Sequence, residues 1–140
     1  MFDETKKYKL NGHFFFKKGD KLSEVSKEVP NEPGVYYILR LVNGRVDLVY
    51  IGKAGTVTQN CEFKEQGLKS RINNKQEDIK RQDFFYNKMI SENIDGLDIY
   101  WFVTKTKDKQ NNDLPSYVEG VLVQRFYEDQ GHLPLWNKAF

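Results

Sequence analysis

Two tyrosines carry this chain's most specific chemical suggestion: Tyr36 closes Gly34-Val35-Tyr36 and Tyr50 opens Tyr50-Ile51-Gly52, on either side of Asn43-Gly44. A phenol ordinarily loses its proton near pH ~10, but one held beside a phosphate and a cation can fall below that and take a proton from water. Two such groups in one hairpin would give proton transfer a rigid mounting. Taken singly, each has a plainer use, because tyrosine is common in strands and a buried one packs its ring and rests its hydroxyl on a backbone carbonyl. Gly52 also has two uses: a strand end that needs unusual backbone angles, or a point where the missing Cβ lets a substrate's backbone come close.

The register of that hairpin decides whether the phenols can meet. A two-residue Asn43-Gly44 loop, favoured because both residues tolerate positive φ, sets Tyr36 opposite Ile51 and Tyr37 opposite Tyr50. Tyr36 and Tyr50 then lie on different faces. The same register sets Arg40 against Asp47 as an ion pair and gathers Tyr37, Leu39, Leu41, Val46, Leu48 and Tyr50 on one apolar face. For both hydroxyls to serve one site, a bulge between Asp47 and Tyr50, or a three-residue loop, must shift the parity by one.

Charged candidates follow downstream. Arg71 lies beside the stripe of Leu68 and Ile72 on an expected helix, where its guanidinium could hold phosphate oxygens in bidentate fashion. Lys75, one helical turn later, and Lys53, just after the Tyr-Ile-Gly strand, could reach the same phosphate. The plainer reading is a solvated basic face that also includes Lys69, Lys80 and Arg81. Ser116-Tyr117-Val118-Glu119 matches a Ser-x-x-Glu capping box, which would occupy the Glu119 carboxylate at a helix start. If Glu119 instead faces the sheet edge, beside Val118, Leu122 and Phe126, it could bind a hard divalent cation such as Mg²⁺. Asn137, in Leu135-Trp136-Asn137-Lys138, is either a turn residue or an amide reaching the metal or substrate.

The elements that must position these groups are legible in outline. With 140 residues the chain fits one domain, and its 14% aromatic content suggests a small, aromatic-rich core. Residues 1–29 read as an extension packing on the domain, with His13–Phe16 able to form a short strand and Leu22, Val25 and Val29 at helical spacing. Pro30 and Pro33 punctuate the entry to strands over 35–42 and 46–51. A polar stretch to Gly67 reads as an exposed loop. Helical spacing returns at Leu68, Ile72 and Ile79, and again over Phe84–Glu92. Leu97–Val103 is apolar on both faces, as a central strand is, and Ser116–Tyr127 reads as a last helix. The order β-β-α-α-β-α predicts an α+β fold, a small mixed or antiparallel three-stranded sheet flanked by helices. A single cysteine, Cys61, excludes an intramolecular disulfide, and the chain shows no signal-like start and no run long enough to span a bilayer. A soluble, cytoplasmic protein is expected. The net charge of +2 leaves nucleic acid open, since phosphate binding depends on local clustering of cations.

Over residues 30–138 the chain resembles the GIY-YIG nuclease family, with Val35 where the first signature has Ile. Pro30-x-x-Pro33-Gly34-Val35-Tyr36 is similar to the lead-in of the excision-repair members, and Tyr50-Ile51-Gly52-Lys53-Ala54 to the second half of the signature. Leu68-x-x-Arg71, Glu119 and Asn137 follow in the family's order of Arg, Glu and Asn. The gap from Gly52 to Arg71 is longer than in compact members, and Lys75 stands where several have His. The resemblance implies a stand-alone endonuclease that hydrolyses phosphodiesters in nucleic acid, DNA in preference to RNA, with Mg²⁺ or Mn²⁺. It implies Tyr36 as the base or activator, Tyr50 as positioner, Arg71 with Lys53 and Lys75 on the phosphate, Glu119 on the metal, and Gly52 and Asn137 at the substrate. The alternative is a catalytically weak or inactive nucleic-acid-binding or protein-interaction module on the same scaffold.

Overall fold

A computed structural model describes residues 1–56, 58, 59 and 67–140. Cys61 and the middle of the loop expected before Gly67 lie outside the described residues. The fold is α+β, built on an antiparallel sheet of four strands, β1 (Asn11–Phe16), β2 (Gly34–Val42), β3 (Arg45–Ala54) and β6 (Gly96–Val103), in the order β1-β6-β2-β3. The expected three strands are therefore four. The reason lies in β6: seven of its eight residues are buried, so it needs neighbours on both edges. The β2 strand takes one edge and β1, from the N-terminal region, takes the other, pairing Phe16 with Leu97 and Asn11 with Phe102.

Asn43 and Gly44 both adopt positive φ, at 50° and 76°, giving the expected two-residue turn between β2 and β3. Arg40 meets Asp47 at 3.0 Å across it and reaches Glu92 at 2.7 Å.

Helices α1 (Leu22–Val25), α2 (Leu68–Asn73), α3 (Arg81–Ser91) and α4 (Pro115–Gln130) complete the main architecture. The helical spacing of Leu68, Ile72 and Ile79 does not continue as one helix. Asn73 donates its side-chain amide to Ser26 Oγ and to the Lys69 carbonyl, and Asn74 turns extended. A tight turn through Glu77 and Asp78, at φ 51° and 66°, then joins β4 (Lys75–Gln76) to β5 (Ile79–Lys80). Lys75 thus opens a small hairpin and does not sit one helical turn beyond Arg71.

The sheet separates two apolar layers. On one face Tyr36, Ile38, Ile99 and Trp101 meet Leu68 and Ile72 of α2 and Phe84, Phe85 and Met89 of α3. On the other, Val35, Tyr37, Leu39, Leu48, Ile51 and Phe102 meet Val118, Leu122 and Val123 of α4, together with Phe2 and Tyr8. Each large side chain so buried contributes about 1.5–3 kcal/mol, and α2 and α4 are thereby fixed on opposite sides of β3. Among the described residues no helix is long and apolar enough to cross a membrane.

Candidate active site

The parity problem of the hairpin is solved by a bulge. Leu39 faces Leu48, but Ile38 faces Tyr50, so Val49 is the extra residue and the register shifts by one within the span where shared chemistry required it. Tyr36 now stands opposite Gly52, and Tyr50 leaves the layer of Tyr37 and Leu39 for that of Tyr36. The two phenol rings lie 5.9 Å apart. Tyr36 is fully buried, while Tyr50 is partly exposed.

Gly52 is where this arrangement is least tolerant. A Cβ there would lie 2.7 Å from both Cζ and Oη of Tyr36 and 2.8 Å from Cε2 of Tyr50. The space left by the missing side chain is filled by the phenols themselves, and Gly52 is buried.

Arg81, at the first turn of α3, is a functional candidate that its sequence neighbourhood groups with the surface cations. It is 2% exposed, donates from Nη2 to Tyr36 Oη at 2.8 Å, and sets its guanidinium over Tyr36, Tyr50 and Phe85 at 5.6, 5.3 and 5.8 Å from the ring centres. A signal was present: Arg81 precedes Phe85 and Met89 by steps of four, which puts it on the buried stripe of α3. Burial is the largest influence on Tyr50 and pushes its phenol up to about 12, with Tyr36 adding to the rise and Arg81 and Arg71 opposing it.

The charge of Arg71 is felt by groups on both sides of the sheet. This residue is exposed on α2, acts electrostatically on Tyr50, and with Lys53 acts on Glu119 of α4. Lys53 faces Val35 across the hairpin and is partly exposed. Glu119 is itself only partly exposed. Burial raises its carboxyl above the usual carboxylate range, while Lys53 and then Arg71 pull it back. The capping box does not form. Pro115 occupies the first helical turn, so α4 starts ahead of Ser116, Leu114 is its N-cap, and no side chain caps it. The Glu119 carboxylate is left for other use.

Asn137 has both ends of its amide engaged on one backbone unit. Ile51 N–H donates to its Oδ1 at 3.0 Å, and its Nδ2 donates to the Ile51 carbonyl at 2.9 Å. With Trp136 N–H donating to the Val49 carbonyl at 2.8 Å, the C-terminal segment satisfies the outer edge of β3 on both sides of Tyr50. Asn137 therefore holds the strand that carries the site. Lys75 is exposed on its hairpin.

Among the described residues no three or more His, Cys, Asp or Glu side chains gather as a metal cluster. A cation at Glu119 would thus draw one carboxylate from the protein and its other ligands from water and phosphate, as Mg²⁺ commonly does. An open hollow of about 790 Å³ lies elsewhere, between the first residues, Arg40, Asp47 and the end of α4, and none of Tyr36, Tyr50, Arg71 and Glu119 lines it. A scan against family models, a search of curated proteins and a search of solved structures each found no match for this chain.

Proposed function

We propose that the chain is a metal-dependent endonuclease of GIY-YIG type, hydrolysing phosphodiester bonds in nucleic acid, DNA in preference to RNA, with Mg²⁺ or Mn²⁺ at Glu119. The observation that carries this reading is the bulge at Val49, which turns Tyr50 onto the face of Tyr36 and within the influence of Arg81 and Arg71. Regular pairing would have left Tyr50 in the layer of Tyr37 and Leu39, a satisfactory place for an aromatic ring. The bulge is better explained by a need for two adjacent phenols.

In this mechanism Tyr50, the partly exposed member of the pair, takes the proton of the attacking water with the buried Tyr36 behind it, which exchanges the base and positioner roles that the family resemblance implies. Arg71 and Lys53 stabilise the negative charge that grows on the phosphoryl oxygens as the fifth bond to phosphorus forms. A divalent cation, when bound, supplies Lewis-acid polarisation and charge neutralisation at the scissile phosphate. Glu119 is the residue that would hold it, and the positive charges of Lys53 and Arg71 acting on that carboxylate would weaken binding of the cation alone until phosphate contributes. Asn137 keeps β3 in place.

A second reading, a nucleic-acid-binding or protein-interaction module with little activity, is favoured by one specific feature. Tyr36 is closed off from solvent, and a Tyr50 phenol at about 12 is neutral near pH 7. Nicking of supercoiled DNA by the purified chain with Mg²⁺ or Mn²⁺ separates the two. The nuclease reading expects cleavage that rises about tenfold per pH unit below the phenol's pKa, and that Glu119→Ala abolishes while salt-sensitive DNA binding persists. Absence of cleavage of both DNA and RNA by the wild-type chain would overturn it.

A further inference from the structure

We propose that Arg81 is a positioning residue, the fixed positive charge that joins Tyr36 and Tyr50 into one proton-exchanging unit. The inference rests on the nuclease reading for its purpose. A guanidinium withdrawn from water is expensive, and the usual remedy is a carboxylate held in a bidentate pair. Arg81 forms no such pair among the described residues. Its Nη2 donates to Tyr36 Oη, while Nε and Nη1 are buried without a hydrogen-bond acceptor among the described residues. Three aromatic rings surround it.

Packing does not account for this choice. The position lies on the same stripe as Phe85 and Met89, where an unbranched apolar residue would fill the slot with no desolvation cost. Among the described residues this cation has no carboxylate partner, and the groups there that can become anionic beside it are the two phenols. Among the described residues, the charged and titratable groups acting on Tyr50 come from three elements: Tyr36 of β2, Arg81 of α3 and Arg71 of α2. Arg71 is exposed and free to meet substrate, whereas Arg81 is enclosed. Arg81 therefore acts through the phenols and does not touch phosphate.

The proton balance is simple. One proton leaves the pair for solvent, one hydroxyl proton remains, and the single negative charge lies beside Arg81. As the oxygen of the attacking water bonds to phosphorus, the water returns a proton to the pair, the bond to the leaving oxygen breaks, and that oxygen is protonated from solvent. Arg81 donates a hydrogen bond throughout and does not exchange its own proton.

The test uses the full chain with a fluorotyrosine in place of Tyr50, followed by fluorine NMR as pH is raised. Arg81→Met should raise the midpoint of the label by at least about one pH unit, the size expected for losing a cation at this range, and Arg81→Lys should recover part of the shift. Tyr36→Phe should lower the midpoint, because the neighbouring phenol no longer competes for the same positive charge. An unmoved midpoint in Arg81→Met would overturn the proposal. If Arg81→Met does not fold, Tyr36→Phe decides: an unchanged or raised midpoint overturns it as well. These readouts need no turnover, so a wild-type chain that cuts nothing counts against the nuclease reading alone. In an active chain, Arg81→Met should lower kcat at least tenfold with unchanged KM and an unchanged salt dependence of DNA binding.

Discussion

Gly52→Ala tests the packing of the phenol pair directly. The added methyl would sit 2.7 Å from Cζ and Oη of Tyr36, where ordinary contact begins at 3.4 Å, so about 0.7 Å must be found by moving something. Tyr36 is fully buried and tied to Arg81, and Tyr50 closes the other side at 2.8 Å. Overpacking of this kind costs about 1–3 kcal/mol, against which the reduced chain entropy of alanine returns about 0.5–1 kcal/mol. The net loss should lower Tm by several degrees in a domain of this size. Cleavage should suffer more than stability, because moving a reacting group by a sizeable fraction of an ångström costs up to about a hundredfold in rate. The internal control is Gly96→Ala at the start of β6, where the nearest atom would be 3.7 Å away. Differential scanning calorimetry and initial nicking rates on both variants complete the comparison. If Gly52→Ala matched Gly96→Ala in Tm and rate, the two phenols would not be packed as described.

Two further outcomes follow from the surroundings of Glu119 and Asn137. Burial raises the folded carboxyl of Glu119, so the folded state holds that proton more tightly than the unfolded chain; stability is therefore lost as pH climbs from the unfolded value of 4.5 through the raised folded one. Glu119→Gln should accordingly abolish cleavage yet raise Tm at neutral pH, with the gain shrinking in thermal melts toward pH ~4, where the carboxyl is already protonated. A Tm gain that persisted undiminished in acid would contradict this. Asn137→Ala removes both hydrogen bonds to Ile51 and should cost about 1–3 kcal/mol. Amide exchange at Ile51 and Val49 should quicken well ahead of exchange in β6, and uniform protection across the sheet would show that the C-terminal segment does not pin the edge.

Much of the site's framework was determined by short-range rules acting within the chain. Asn43-Gly44 imposes the two-residue turn, Arg40 and Asp47 follow from its register, and the incompatibility of that register with a shared phenol face required the bulge found at Val49. The doubly apolar run of β6 likewise dictated a central strand. What depended on distant neighbours could not be read locally. The fourth strand exists because β6 had a free edge, and α2 stops because Asn73 finds Ser26. Pro115 takes precedence over a Ser-x-x-Glu pattern that was locally plausible, which leaves Glu119 open to Lys53 and Arg71. Arg81 shows the division most clearly. Sequence supplies a cation on an apolar stripe, but only the tertiary structure decides that the stripe faces two phenols and, among the described residues, no carboxylate, because the cost or use of a buried charge depends on which groups are brought around it.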